Sequence, residues 1–387
     1  MLTTLAIANY RSLRNVIIPL QRLNLITGPN GSGKSNVYRA LRLLAETAQG
    51  GVIPSLAREG GLQSTLWAGP EKTGRSVKRG QYKVEGTVRK ERTNLRLGFA
   101  GDDFGYAIDL GLPEPSRSAF ALDPEIKTET IWAGAILRPA ALLIDRHGSV
   151  VRSKGEDGEW QVLAYQLSSF DSMMTQFADP KNAPEMLRLR EQIRSWRFYD
   201  HFRTDSQAPA RLPQIGTHTP ILGNDGADMA AALQTIQEIG DADALADAVN
   251  DAFPGSSISV LNTEGRFEIA MHQHGLLRPL KAAELSDGTL RYLLWIAALL
   301  TPRPPELLVL NEPETSLHPD LLPALGRLIA SAAERSQVLV VTHAPQLIAS
   351  LEKQPDCNSI TLEKDFGETK IVGADRLDIP VWRWASR

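Results

Sequence analysis

Gly28-Pro29-Asn30-Gly31-Ser32-Gly33-Lys34-Ser35 meets every fixed position of the phosphate-binding pattern G-x-x-x-x-G-K-[ST]. Before it, Leu23-Asn24-Leu25-Ile26-Thr27 reads as an apolar, β-branched strand. After it, Val37-Tyr38-Arg39-Ala40-Leu41-Arg42-Leu43-Leu44 carries leucines at helical spacing. Strand, glycine loop and helix are the setting in which this motif works. The glycines let the backbone turn around a phosphate with its amide N–H groups close, and the helix N-terminus adds the positive end of its dipole. Lys34 would reach the β- and γ-phosphates and the Ser35 hydroxyl would ligate Mg²⁺, with Asn30, Gly31, Ser32, Gly33 and Asn36 completing the cradle. These residues imply a bound nucleoside triphosphate.

The chain has 387 residues and 42% apolar content, enough for two or three domains or for one core with insertions. Its net charge is −3, so any nucleic-acid surface must be a local patch. Cys357 is the single cysteine, which excludes an internal disulfide and a cysteine-built metal site. Met1-Leu2-Thr3-Thr4-Leu5 lacks the basic and long apolar regions of a leader, and Leu293 to Leu300 is too short to span a membrane. The expectation is a soluble, cytoplasmic protein.

Working outward from the loop, residues 5–10 and 16–20 read as strands, and the helix opened by Ser35 runs to about Gln49, before Gly50-Gly51. Alternating patterns at 82–88, 95–99 and 106–110 predict antiparallel strands with one wet face, continued by strands at 131–144 and 149–153. Residues 180–250 are helical in character, with helices at 186–197, 229–239 and 242–253. A hairpin follows at 258–261 and 267–271, then a helix from near Ser286. The apolar strands 307–310 and 338–341, separated by a 319–333 helix, predict a parallel sheet that must also include the strand leading into the phosphate loop.

Three further motifs sit at element ends. The 307–310 strand runs into Asn311-Glu312-Pro313-Glu314-Thr315-Ser316-Leu317-His318-Pro319, which places Glu312 to activate a water. Leu285-Ser286-Asp287-Gly288-Thr289 opens a helix, and the 338–341 strand ends in Thr342-His343. The order GPNGSGKS, LSDGT, LNEPETSLHP, VTH resembles the ATP-binding-cassette ATPases of the RecF and SMC kind, and more narrowly the RecF-like predicted ATPases of the AAA/OLD type. Ala8-Asn9-Tyr10-Arg11-Ser12-Leu13 is similar to their opening motif. The resemblance covers both ends of the chain and only in general pattern the middle, about 50 to 280.

The resemblance implies an α/β P-loop NTPase of ABC/RecF type, a mixed sheet with an antiparallel β-subdomain and a helical lobe. It divides the chain into 1–178 (first lobe), 179–304 (helical lobe with the signature motif) and 305–387 (return to the first lobe). It implies ATP and Mg²⁺ as cofactors, Lys34, Glu312 and His343 as catalytic groups, Arg11 on the nucleotide, and Ser286 and Gly288 gripping the γ-phosphate of the other subunit in an ATP-bound homodimer. Thr315 to His318 becomes the D-loop, and Gln176 is the candidate Q-loop glutamine on the metal. One departure is Asn311, where the Walker B aspartate normally stands: the amide keeps an oxygen acceptor and loses the charge, so Mg²⁺ should bind more weakly and turnover be slow. Glu314 is a substitute carboxylate or a turn residue.

Lys72, Arg75, Lys78, Arg79, Lys83, Arg89, Lys90, Arg92 and Arg96 form the densest basic run, either a double-stranded DNA surface or a solvated sheet face. The arginines 188, 190, 194 and 197 form a second candidate surface. His318 reads as a residue at the start of a helix, and His272 and His274 as loop residues. Sustained heptads are absent, and Asp365, Asp375 and Asp378 make no compact acidic cluster, so no nuclease activity is expected. The function read here is an ATPase acting on DNA in recombination or repair. The alternatives are a component of an anti-phage defence or toxin system working with a partner protein, and a slowly hydrolysing ATP clamp.

Overall fold

The computed structural model describes residues 1–70, 94–115, 117–155, 157–177, 179–373 and 379–386. The chain divides into two compact units: Gln21–Thr27 with Trp196–Ser359, and Met1–Leu20 with Gly28–Ser195 and Ile360–Arg387.

The first of these units is built on four parallel strands in the order Arg197–Tyr199, Leu307–Asn311, Gln337–Val341, Leu23–Thr27. Every residue of Leu23–Thr27 and Gln337–Val341 is buried, as are the first four of Leu307–Asn311. Continuous burial of this kind is what a parallel sheet covered on both faces demands. Asn24 is the polar exception, and it is fully used: Nδ2 donates to the carbonyls of Gln21 and Val338, and Oδ1 accepts from the Gln21 amide and Asn358. The registers Asn311↔Val341 and Val341↔Ile26 bring three strand ends level.

The helices Met229–Ile239, Ala242–Ala252, Asp287–Leu299 and Leu322–Ala333 contribute to one apolar core with these strands. Ser257–Thr263 and Arg266–His272 pair as the expected hairpin; Glu264 (φ 52°) and Gly265 (φ 78°) make the two-residue turn, both left-handed as a type I′ turn requires. His272 therefore ends a strand, with Nε2 3.2 Å from Ser259 Oγ, and is not a loop residue. The segment from Pro319 begins as a 3₁₀ turn, Pro319–Leu321, and becomes α-helical at Leu322.

The other unit holds an eight-stranded antiparallel sheet. Its order is Leu13–Pro19, Leu2–Tyr10, Leu95–Gly101, Phe104–Gly111, Glu125–Ala133, Leu142–His147, Val150–Lys154, Trp160–Ala164. The N-terminal hairpin and the expected β-subdomain are thus one sheet. The strand expected at 131–144 is two: the chain leaves at Ala133, turns through Gly134 (φ 74°) and the 3₁₀ turn Pro139–Ala141, and returns at Leu142. The strand expected at 82–88 lies outside the described residues. The loop helix spans Lys34–Thr47, and the helix expected at 186–197 is Pro184–Ser195, with Arg197–Tyr199 instead a strand. No helix among the described residues is long and apolar enough to cross a membrane.

A buried ion pair ties this sheet together. Arg146 Nη1 lies 2.7 Å from Glu129 Oε2, and both side chains are 0% exposed. Glu129 also accepts from the Tyr106 hydroxyl, the Ser172 hydroxyl and the Met173 amide, while Arg146 donates to the carbonyls of Gly148, Ser168 and Asp171. Burial, and then the neighbouring Glu129 charge, push the Tyr106 phenol well above its ordinary pKa, so it stays a neutral donor. Because every charge has partners, removing one is worse than never having had the pair. Arg146→Ala should destabilise the chain by about 3–5 kcal/mol, read as a lowered midpoint of denaturant unfolding; Glu129→Gln combined with Arg146→Met should recover most of that loss.

Candidate nucleotide site

The phosphate loop has the backbone its motif requires. Gly28 (φ 141°) and Gly33 (φ 108°) are left-handed, and there is no room for a side chain at either. A Cβ on Gly28 would stand 2.2 Å from the Leu362 carbonyl oxygen, and one on Gly33 2.3 Å from Thr369 Oγ1. A relay of side chains holds this geometry: Asn36 Nδ2 donates to Ser12 Oγ, Ser12 Oγ bonds Thr369 Oγ1, and Thr369 Oγ1 donates to the Ser32 carbonyl. Ser12 and Thr369 are 357 residues apart in the chain, and nothing in the motif points to Thr369.

Lys34 is 5% exposed and turns back on its own loop, Nζ donating to the carbonyls of Gly28 at 2.6 Å and Pro29 at 3.1 Å. Asn30, Gly31 and Ser35 are exposed, and the Ser32 hydroxyl is buried with no partner among the described residues. A loop closed to a Cβ at Gly28 and Gly33 and holding a cation and a hydroxyl without a partner among the described residues fits a chain of phosphates with Mg²⁺.

Arg11 (φ 49°) sits at the turn before Ser12, its guanidinium 3.1 Å from Glu59 and its amide donating to the Thr65 carbonyl. Tyr10 donates to the same Glu59 carboxylate, and burial above all raises that phenol's pKa. Arg11, Ser12, Asn36, Trp67, Lys364 and Phe366 line a cavity of about 490 Å³, within the range of small-molecule sites. Gln176 ends the four-residue helix Met173–Gln176 and is exposed; among the described residues no contact brings it to the loop.

In the unit built on the parallel sheet, the carboxyl edge carries the acidic motif. Glu312 (φ 49°) is pinned by its amide on the Val341 carbonyl at 2.7 Å. The turn behind it is wired throughout: Thr315 N–H to the Glu312 carbonyl, Leu317 N–H to that of Glu314, Trp295 to Pro313 and Arg291 to Thr315. His343 Nδ1 lies 3.8 Å from Glu312 Oε1 and 3.3 Å from Glu314 Oε1. Glu314 Oε1 also accepts from the Thr342 hydroxyl and the His343 amide, so that oxygen anchors the histidine segment, while Oε2 is buried with no partner among the described residues.

Asn311 Nδ2 donates to Asp200 Oδ1 at 2.7 Å, and Asn311 Oδ1 is buried with no partner among the described residues. The orphaned oxygen fits a ligand or ligand-bound water. Ser286 caps the helix Asp287–Leu299, its Oγ accepting from the Thr289 amide. A Cβ on Gly288 would come 3.3 Å from the Ser316 carbonyl, so the signature turn and the turn after Glu314 are neighbours. Arg211, unremarked in the sequence, fixes that signature turn by donating to the carbonyls of Ala282 and Leu285 and to Asp287. His318 caps the Pro319–Leu321 turn, its ring nitrogen accepting from the Asp320 amide.

The basic run from Lys72 to Arg92 lies outside the described residues, and Arg96 is engaged by Asp109 at 3.0 Å. The second basic face is smaller than its spacing suggests. Arg188 and Arg194 are exposed, but Arg190 reaches the carbonyls of Met174 and Phe177, and Arg197 belongs to a strand. Asp375 and Asp378 are outside the described residues. No group of three or more His, Cys, Asp or Glu side chains among the described residues forms a metal site by itself. An Mg²⁺ held by one hydroxyl, waters and phosphates needs none.

The family model described as "AAA domain, putative AbiEii toxin, Type IV TA system" matches residues 23–349. Among solved structures, the Smc head bound to the C-winged helix domain of ScpA has a TM-score of 0.52 at 14% identity, covering 96% of this chain and 97% of that one. The Smc head with an extended coiled coil bound to the C-terminal domain of ScpA, from Pyrococcus furiosus, gives 0.49 at 13% identity over 96% and 95%. The SMC head domain from Thermotoga maritima gives 0.44 at 15% identity over 97% and 99%. No curated protein matches the chain in sequence.

The loop geometry makes a graded prediction. Gly31 (φ 78°) faces open space whereas Gly33 faces Thr369, so Gly33→Ala should abolish binding of a fluorescent ATP analogue while Gly31→Ala weakens it by about tenfold or less.

Proposed function

We propose that this chain, which belongs to the AAA-domain family matched over residues 23–349 and has the fold of an SMC-type ATPase head, binds ATP with Mg²⁺ and hydrolyses it slowly. The observation that carries this reading is the wiring at the carboxyl edge of the parallel sheet. Glu312 is held in a left-handed backbone by the Val341 carbonyl, with His343 beside it. A carboxylate fixed in this way is suited to orient and deprotonate a water. His343, whose Nδ1 lies 3.3 Å from Glu314 Oε1, would meet a phosphate oxygen as an Nε2–H donor. Lys34 would exchange its two carbonyl partners for phosphate oxygens, and Ser35, Asn311 and Gln176 would supply oxygens on the metal side. Bound Mg²⁺ would neutralise charge on the phosphates.

In this reading the lobes are 1–178, 179–304 and 305–387, and Ser286 and Gly288 act on nucleotide held by a second copy in an ATP-bound homodimer. Arg11, beside the cavity that includes Asn36, contacts the nucleotide. Double-stranded DNA is the partner read from the basic run, in a cytoplasmic recombination or repair role. A second reading has a specific finding in its favour: the family's description names a toxin of a type IV toxin–antitoxin system. There the ATPase would answer to a protein partner, as the solved Smc head is bound to a domain of ScpA.

The test is steady-state ATP hydrolysis with Mg²⁺, with and without duplex DNA. Glu312→Gln should lower turnover by about 100-fold or more while ATP binding persists. Stimulation by DNA supports the repair reading; hydrolysis indifferent to DNA but altered by a partner protein supports the second. Unchanged turnover in Glu312→Gln would remove Glu312 from the chemistry.

A further inference from the structure

Tyr199 pairs with Leu310 in parallel register, so the next residues, Asp200 and Asn311, stand side by side at the carboxyl edge of the sheet. Asn311 Nδ2 donates to Asp200 Oδ1 at 2.7 Å. The amide can face an ionised carboxylate only this way round, because the carboxylate has no proton to give. Its own oxygen is therefore turned aside, buried and without a partner among the described residues. Asp200 is exposed, and Asn311 is its only hydrogen-bond or ion-pair partner among the described residues. Glu314, the other nearby carboxylate, is tied through Oε1 to Thr342 and His343, and its Oε2 is buried without a partner among the described residues.

We propose that Asp200 and Asn311 divide the work of a single Walker B aspartate: Asn311 offers the oxygen and Asp200 the negative charge that together hold a hydrated divalent cation. Asp200 acts as a positioning residue, orienting the Asn311 amide through a charge-assisted hydrogen bond and raising the pull on the cation. The inference rests on the ATP-binding reading above.

The test is calorimetric titration of the full chain with ATP in Mg²⁺ and in EDTA, with Mn²⁺ bound alongside ADP followed by electron paramagnetic resonance. Asp200→Asn should weaken binding in Mg²⁺ by about tenfold or more, leave binding in EDTA unchanged and diminish the Mn²⁺ signal. Asp200→Asn combined with Asn311→Asp moves the charge one strand across and should restore Mg²⁺-dependent affinity to within about threefold. An unchanged Mg²⁺ dependence in Asp200→Asn, an equal loss in EDTA, or no recovery in the double variant would each overturn the inference while leaving ATP binding intact. No ATP binding by the unaltered chain would instead overturn the function reading, and this inference with it.

Discussion

The parallel pairing of Leu23–Thr27 with Gln337–Val341 is the constraint on which the rest of the site depends. One strand comes from the start of the chain and the other from near its end, yet each supplies backbone hydrogen bonds and a fully buried apolar run to the same layer. The alignment levels the ends of three strands, so the Thr342-His343 pair and Asn311-Glu312 leave from one edge, that of Thr27. A one-residue slip would bury a different set of side chains and misplace both motifs. Removing a buried leucine such as Leu310 or Leu339 would cost about 2–5 kcal/mol, a large share of an ordinary domain's net stability.

Local signals in the chain were legible and long-range ones were not. The loop, Glu312 and His343 could be read because each is a short pattern at the end of an apolar run, and such runs have one plausible burial. Asp200 could not. Arginines at helical spacing carry a helical pattern as far as Arg197, whereas the helix stops at Ser195 and a three-residue strand takes over. A strand that short has no periodicity to read, and its identity comes only from its partner, Leu307–Asn311. The strand content expected over 131–144 is there, but it is divided between two strands by the turn chemistry of Gly134 and Pro139, which apolar content obscured. Thr369 was invisible because its role is a pair of side-chain bonds, to Ser12 and to the Ser32 carbonyl, that both lie far upstream.

The acidic motif shows how position changes what the same residue type does. Glu312 and Glu314 are two residues apart, but one is exposed enough to meet solvent and the other is almost closed off and saturated on one oxygen. The work of the buried one is to hold the histidine segment, which leaves the outer carboxylate available for chemistry. Lys34 presents the same principle in the other sign: its ammonium is satisfied by two loop carbonyls, so an incoming phosphate would have to displace existing bonds and not merely fill a space.

The separation within the parallel sheet has a consequence for synthesis. Asn24 bonds the Val338 carbonyl across 314 residues of chain. At the usual pace of translation, about 5–20 residues each second, the early strand waits about 15–60 s for that partner to leave the ribosome. Throughout that interval an apolar, β-branched segment with open edges is exposed to other nascent chains. Chaperone occupancy during elongation, as much as final stability, then sets the yield of active protein from a given message.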